Sequence, residues 1–500
     1  MTARRIRKIL VANRGEIAVR VMRTCQEMGI STVGVYSDAD KLAPHVRNAD
    51  EAYRIGPPPA IESYLDQVKT IEIAKRSGAD AIHPGYGFLS ENHEFARRVS
   101  EAGLTFIGPT HESMKLLGDK TEARKLARNL SIPMTEGTTS AVQSLAELEE
   151  VSQRIGYPVL LKAAGGGGGK GMKIVESISD LSSKFASARS EAASAFGDDR
   201  VYVEKYIRNP RHIEVQVLAD TQGNVIHLGE RECSIQRRHQ KIVEESPSVA
   251  VQPSLRESMT NDAKRLVKSA GYVNAATVEF LLDEGGKYYF LEVNARLQVE
   301  HPVTEMRTGI DIVREQIGIA EGHPLSLTQE EVEFKGAAIE CRVYAEDPEN
   351  AFLPSIGVVR HIESAHGPFI REDLGIDLGF EITPYYDPLL SKIIAWGRNR
   401  EEALARIERA LSGYELLGVS SNLALCAWIV KHEKFRNGGF STSFLEENFQ
   451  AGKSLPLPHD LEQAAAIIAC LMNAEANHHA APDPVPNGKE GWKAQRVRSW

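Results

Sequence analysis

The sequence predicts an α/β amino-terminal unit of Rossmann-like character followed by a larger α+β region, and three patterns carry that prediction. Apolar runs alternate with segments of helical period up to about residue 110. A glycine run interrupts a compact strand-and-helix pattern between about residues 134 and 206. From 207 to about 446, hairpin-like strands mix with helices.

At the start, KILVA (8–12) is an apolar strand signal that Asn13, Arg14 and Gly15 break, and IAVRVMRTCQEM then carries apolar positions at helical spacing as far as Gly29. STVGVYS, ADAIHP and LTFIGPT read as further strands, with helices at 64–77 and 94–102. No GxGxxG follows the first strand, which argues against a dinucleotide site there. The next segment reads as helix 144–155, strand 158–163, the glycine run, strand 172–175, helix 180–193 and strand 200–206, a small lid. Beyond FSTSFLEENF come a helical stretch at 461–474 and a loose linker, APDPVPNGKEG. The domains read this way are 1–117, 118–206 (the lid and its linker), 207–450 and a tail at 451–500, with no internal repeat.

Of the 500 residues, 42% are hydrophobic and 25% charged, the balance of a soluble globular protein with length for several domains. A net charge of -9 disfavours a nucleic-acid partner. Cys25, Cys233, Cys341, Cys426 and Cys470 show no CxxC spacing, so neither a zinc site nor a disulfide framework is indicated, and a cytoplasmic location is expected. The basic start has too short an apolar run for a signal peptide, and no stretch reaches the roughly 18 apolar residues of a membrane span.

Gly165, Gly166, Gly167, Gly168 and Gly169, followed by Lys170 and Gly171, lie between two strands, where backbone N–H groups approach and cradle phosphate oxygens. This is not a Walker A loop: Ala164 stands where its first glycine belongs, a strand follows, and Gly171 replaces the Ser or Thr that holds magnesium. Lys162, on the preceding strand, adds a cation. TVEFLL and YYFLEVN read as strands joined by a two-residue Gly285-Gly286 loop, which sets Glu279 opposite Glu292. Glu292 and Asn294 share a face, so three oxygen-bearing side chains converge, as Mg²⁺ bridging nucleotide phosphates requires. Taken alone, these are acids on the solvent face of a sheet. NARLQVEHPVTE argues otherwise by adding Arg296, Gln298 and Glu300 in a polar row flanked by Val293 and Val299. A guanidinium suits a planar oxyanion such as bicarbonate, and a glutamate within hydrogen-bond range takes its proton. Arg237, Arg238, His239 and Lys241, opposite the acidic hairpin, read as a phosphate clamp.

HPGYGFLSEN (83–92), KAAGGGGGKGM (162–172), EKYIRNPRHIEVQVL (204–218), ERECSIQRRHQKIVEE (230–245) and EVNARLQVEHPVTE (292–305) resemble the biotin carboxylase family of the ATP-grasp superfamily, over about residues 7–449. The resemblance implies an ATP-grasp fold with a Rossmann-like domain in front, a mobile lid and a carboxyl-terminal α+β domain. It implies that Lys120, Lys162, Glu204, Lys205, His212, Gln236, His239, Glu279 and Glu292 surround ATP, with Ile207 and Leu281 beside the adenine and Gly165 to Gly169 closing over the phosphates. Glu279, Glu292 and Asn294 correspond to ligands of Mg²⁺ (or Mn²⁺); Lys241, Arg296, Gln298, Val299 and Glu300 correspond to the bicarbonate pocket. Arg342, in ECRVYAEDP, matches the arginine that stabilises enolised biotin, and Asp387 matches a residue beside that site and near the dimer region. Lys170 departs from relatives that carry arginine there, which removes a planar fork but not the charge.

The implied activity is that of a ligase: ATP- and bicarbonate-dependent carboxylation of biotin through carboxyphosphate, as the first half-reaction of an acyl-CoA carboxylase in pathways such as fatty acid biosynthesis. Glu300 would act as base, Arg296, Lys241 and Arg342 as its catalytic partners. The alternatives are the corresponding subunit of a pyruvate or 2-oxoglutarate carboxylase, another ATP-grasp carboxylate ligase, or a non-catalytic assembly subunit. The sequence holds no Met-Lys-Met of a biotinyl carrier and no carboxyltransferase region after 450, so biotin is expected on another polypeptide or on a portion outside this sequence. The partners implied are a biotinyl carrier, a carboxyltransferase and a second copy of the chain.

Overall fold

The computed structural model describes residues 5–453 apart from Thr139 and 165–171, together with 455, 468 and 470; the expected phosphate-cradling glycines 165–169 lie outside the described residues. The chain divides into a unit spanning Met1–Ala451 and a second spanning Gly452–Trp500. In the second, Ile468 and Cys470 of the expected helix 461–474 are helical and exposed, and the rest of that helix lies outside the described residues. Among the described residues, no helix is long and apolar enough to cross a membrane.

The first unit opens with β1 (Lys8–Val11), the helix Gly15–Glu27, β2 (Ser31–Ser37), β3 (Glu51–Gly56), β4 (Ala81–His83) and β5 (Thr105–Phe106). They form a wholly parallel sheet in the order β3-β2-β1-β4-β5. Leu10 packs into one core cluster while Ile9 and Val11 enter another, the alternation of a strand covered on both faces. β3 was not among the expected strands, because EAYRIG exposes alternate residues at the sheet edge and carries little apolar signal. The helix expected at 64–77 begins later, at Gln67, where Asp66 caps it through the Lys69 amide, and Tyr64 is a core residue instead.

The lid region holds the helix Leu145–Ile155, capped by Ser144, then β6 (Val159–Ala163), β7 (Lys173–Val175), the helix Ile178–Phe196 and β8 (Val201–Lys205). The strands form an antiparallel sheet, β7-β6-β8.

The largest sheet is antiparallel and eight-stranded. It contains β9 (Arg211–Ala219), β10 (Val225–Arg237), β11 (Gln240–Ser246), β12 (Asn274–Leu282), β13 (Tyr288–Asn294), β14 (Ala337–Tyr344) and the strands Ile370–Leu374 and Leu389–Gly397. Their order is β13-β12-β9-β10-β11-β14, followed by Leu389–Gly397 and Ile370–Leu374.

Candidate active site

Alternation along the large sheet separates core from chemistry. Ile213, Val215 and Val217 of β9 enter the core cluster, as do Ala276, Val278, Phe280 and Leu282 of β12. The intervening His212, Glu279 and Leu281 line a cleft of about 710 Å³. The same cleft gathers Lys120, Lys162, Glu204, Lys205, Ile207, Gln236, His239, Lys241, Glu292, Asn294, Arg296, Gln298, Val299, Glu300, Arg342 and Asp387. Apart from Arg237 and Arg238 of the expected basic clamp, every anticipated site residue that the structure describes therefore borders one space. Lys205 does so while its ammonium donates to the carbonyls of Gly156 and Tyr157, at 2.9 and 3.1 Å.

The β12–β13 hairpin sets Glu279 opposite Glu292 by a different route from the one expected. The loop is not the two residues Gly285-Gly286. Asp283 N–H donates to the Lys287 carbonyl at 2.9 Å, leaving Glu284, Gly285 and Gly286 as a three-residue loop, with Gly286 at φ +78°. That closure pairs Leu282 with Tyr288 and Phe280 with Phe290, a register that would bring Leu291 to Glu279. A bulge between Glu279 and Phe280 absorbs Leu291 and restores the acid pair. The polar row also ends sooner than expected: β13 stops at Asn294, and Glu300 is the N-cap residue of the helix His301–Thr308.

The β10–β11 hairpin pairs Arg237 with Gln240, so its turn consists of Arg238 and His239 alone. Both have positive φ, +47° and +69°, as a primed two-residue turn requires and as non-glycine residues rarely adopt. Of the expected basic clamp, only His239 and Lys241 border the cleft. Arg237 turns away to Glu346 at 3.0 Å and lies over the Phe352 ring.

Ion pairs fill the cleft. Lys241 Nζ reaches Glu214 at 2.6 Å, Glu300 at 2.5 Å and Glu279 at 3.2 Å. Glu300 also meets Arg342 at 2.9 Å, and Arg342 binds Glu244 behind it. Burial would raise the Glu300 carboxyl, but Lys241, Arg342 and Arg231 outweigh it and hold the group well below the usual carboxylate range. The same contest leaves Glu279 depressed, with Lys241 and His212 as its partners. Glu244 goes the other way: burial prevails over Arg342 and pushes it up to about 7. Toward the lid, Lys120 pairs with Glu292 at 2.7 Å and Lys162 with Glu204 at 2.5 Å. Gln298 is buried and its Nε2 has no hydrogen-bond partner among the described residues, a donor pair waiting for an acceptor.

Glu279, Glu292 and Asn294 offer two carboxylates and an amide oxygen, hard donors that fit Mg²⁺. His212, Glu214 and Glu279 also bring ligand atoms within 4.8 Å of one another, but imidazole suits softer cations and Lys241 already binds Glu214.

Several residues of the site were not anticipated. Glu91 binds Arg296 at 2.8 Å; it sits in the quoted HPGYGFLSEN motif, whose acid had been given no partner. Arg231 is fully buried and holds Glu214, Gln216, Thr277 and Thr304. Glu214 alternates with His212 on β9, a signal available in HIEVQVL. Arg124 meets Glu204 at 2.8 Å from the helix Lys120–Asn129.

Comparison with known proteins fits this geometry. The family description "Biotin carboxylase, N-terminal domain" matches residues 5–114, "Carbamoyl-phosphate synthase L chain, ATP binding domain" matches 119–328, and "Biotin carboxylase C-terminal domain" matches 340–447. Biotin carboxylase 1 of Bacillus subtilis is 48% identical over 442 residues, covering 88% of this chain and 98% of the relative. The propionyl-CoA carboxylase alpha chain of Ruegeria pomeroyi is 46% identical over 486 residues, covering 93% of this chain and 71% of the relative. Among solved structures, the biotin carboxylase domain dimer of Hydrogenobacter thermophilus 2-oxoglutarate carboxylase, in complex with MgADP, ADP and bicarbonate, superposes with a TM-score of 0.88 at 46% identity. It covers 91% of this chain and 100% of that one.

Proposed function

The chain belongs to the biotin carboxylase family, and from that premise we propose that it uses ATP and bicarbonate to carboxylate biotin, with Glu300 as the base. The observation that carries this reading is the position of Glu300: fully buried and held between Lys241 and Arg342, with the buried Gln298 Nε2, unpartnered among the described residues, lining the same cleft. Arg296 and Gln298 orient the bicarbonate, and Glu300 removes its proton. Lys120, Lys162 and Lys241 neutralise charge on the transferring phosphoryl group, where positioning and electrostatics supply most of the rate. Glu279, Glu292 and Asn294 would hold Mg²⁺, which would supply neutralisation of phosphate charge there. A charge-assisted network that holds Glu300 far below its ordinary range also weakens it as a base. Its basicity rises as Lys241 turns from Glu300 toward phosphate. Arg342 then serves the enolate oxygen of biotin.

We assign the acceptor to the acyl-CoA class. The support is extent: the alignment with the propionyl-CoA carboxylase alpha chain takes in 93% of the chain, more than the unit ending at Ala451 holds. A biotinyl carrier and a carboxyltransferase complete that assembly, and the dimeric relative supports a paired chain. The free thiols, four of them buried, suit a reducing cytoplasm.

The test is ADP release with Mg²⁺-ATP, with and without bicarbonate and free biotin, beside a Glu300→Ala variant. Bicarbonate-dependent release that biotin accelerates and the variant loses is expected. A folded, ATP-binding wild type that responds to neither free biotin nor a biotinylated carrier sinks the reading.

A further inference from the structure

Behind the anion pocket lies a buried cation that no step above uses. Lys392, on the strand Leu389–Gly397, is 0% exposed and does not border the cleft. Its ammonium donates to the Val299 carbonyl at 2.9 Å. Glu16, in the first turn of the helix Gly15–Glu27, lies 3.3 Å from it, and Asp373, on the neighbouring strand, 3.6 Å. Counter-ions from two parts of the fold thus meet one ammonium, and that ammonium holds one carbonyl. A buried charge is costly unless paired, and a carbonyl needs only a neutral donor. What an ammonium adds is a stronger, charge-assisted hold on the peptide it touches.

That peptide links Val299 to Glu300. One peptide earlier, the Gln298 carbonyl lies 2.8 Å from His301 Nδ1, which donates when the ring carries its proton there. In a trans peptide, C=O and N–H point in opposite directions. With the Gln298 and Val299 carbonyls both pinned on the core side, the N–H groups of Val299 and Glu300 are turned the other way, and the Cα that carries the Glu300 carboxylate is fixed.

We propose that Lys392, with Glu16 and Asp373 as its counter-ions, is a positioning residue for the bicarbonate step: it orients the Val299–Glu300 peptide, and with it the base and the anion-facing amides. The inference rests on the bicarbonate reading of this pocket. Lys392 touches no substrate; it acts through Val299.

The experiment compares wild type, Lys392→Met and the double variant Lys392→Met/Glu16→Gln, in which the ammonium and one counter-ion leave together; the double variant carries the test if Lys392→Met does not fold. Two quantities are read: kcat/KM for bicarbonate against KM for ATP, and binding of ¹³C-bicarbonate to the MgADP-loaded protein by NMR. Loss of the charge-assisted contact is expected to lower kcat/KM for bicarbonate by about tenfold or more, and to weaken bicarbonate binding, while KM for ATP stays within about twofold. A folded double variant with wild-type values for both bicarbonate quantities overturns the proposal and leaves the proposed function standing, and so does an equal loss toward ATP and bicarbonate. A wild type that neither binds bicarbonate nor turns it over removes the functional reading, and this inference with it.

Discussion

Two hairpins of one sheet, separated by β9, deliver charge to the same cleft by opposite backbone devices. The β12–β13 hairpin uses a three-residue loop with Gly286 at positive φ and corrects its register with a bulge, so the backbone bends where bending is cheap. The β10–β11 hairpin turns in two residues, Arg238 and His239, both non-glycine and both in the left-handed region. Their electrostatics also diverge. Glu279 on β12 is held ionised by Lys241 and His212, whereas burial pushes Glu244 and Glu245 on β11 up to about 7. One hairpin is relaxed and presents Glu279, held ionised; the other carries strain, the raised Glu244 and Glu245, and the Lys241 that Glu279 meets.

The sharpest way to break this contrast is to remove the shared cation. Lys241→Met removes the cation that Glu214, Glu279 and Glu300 share in a buried site, and is expected to cost about 3 kcal/mol of stability in urea unfolding and to abolish bicarbonate-dependent ADP release. A Met variant as stable as wild type would mean that the three acids do not depend on Lys241.

Next is the raised Glu245, which Arg400 meets at 2.7 Å. Its folded value of about 7 lies above an unfolded value near 4.5, so the folded state keeps the proton longer and stability from this group falls as pH rises between those values. Glu245→Gln should flatten that part of the stability–pH curve by on the order of 2 kcal/mol. An unchanged slope in denaturant titrations at pH 4.5 and 7 would remove Glu245 from the account.

The smallest effects are a matched pair of opposite sign. Arg238→Gly relieves a left-handed non-glycine residue and should raise the urea midpoint by about 1 kcal/mol equivalent, whereas Gly286→Ala imposes the same strain on the other hairpin and should lower it by about 1 kcal/mol. Equal signs for the two would erase the distinction between the loops.

How legible the molecule was follows the same division. STVGVYS reads directly as the strand Ser31–Ser37 and YYFLEVN as Tyr288–Asn294, because period-two patterning and turn residues are local signals. The acid pair Glu279 and Glu292 was placed correctly from a loop that is one residue longer than assumed, the bulge having cancelled the error. The Arg238–His239 turn left no trace, since neither residue announces positive φ. Glu91 and Arg296 lie 205 positions apart, and no spacing rule reaches that far. Resemblance located Lys241 and Arg342, but that Glu214 and Glu244 are the buried acids holding these cations belongs to tertiary packing.

The Glu91–Arg296 pair has a consequence for supply. The guanidinium assigned to the incoming anion already carries a carboxylate from the same chain, which the Ala295 amide also holds at 3.2 Å. An internal competitor of this kind acts at the effective concentration of a tethered group, whatever the concentration of substrate outside. An anion that takes Arg296 as proposed competes with this carboxylate, which raises its apparent dissociation constant and leaves the shape of its binding curve unchanged.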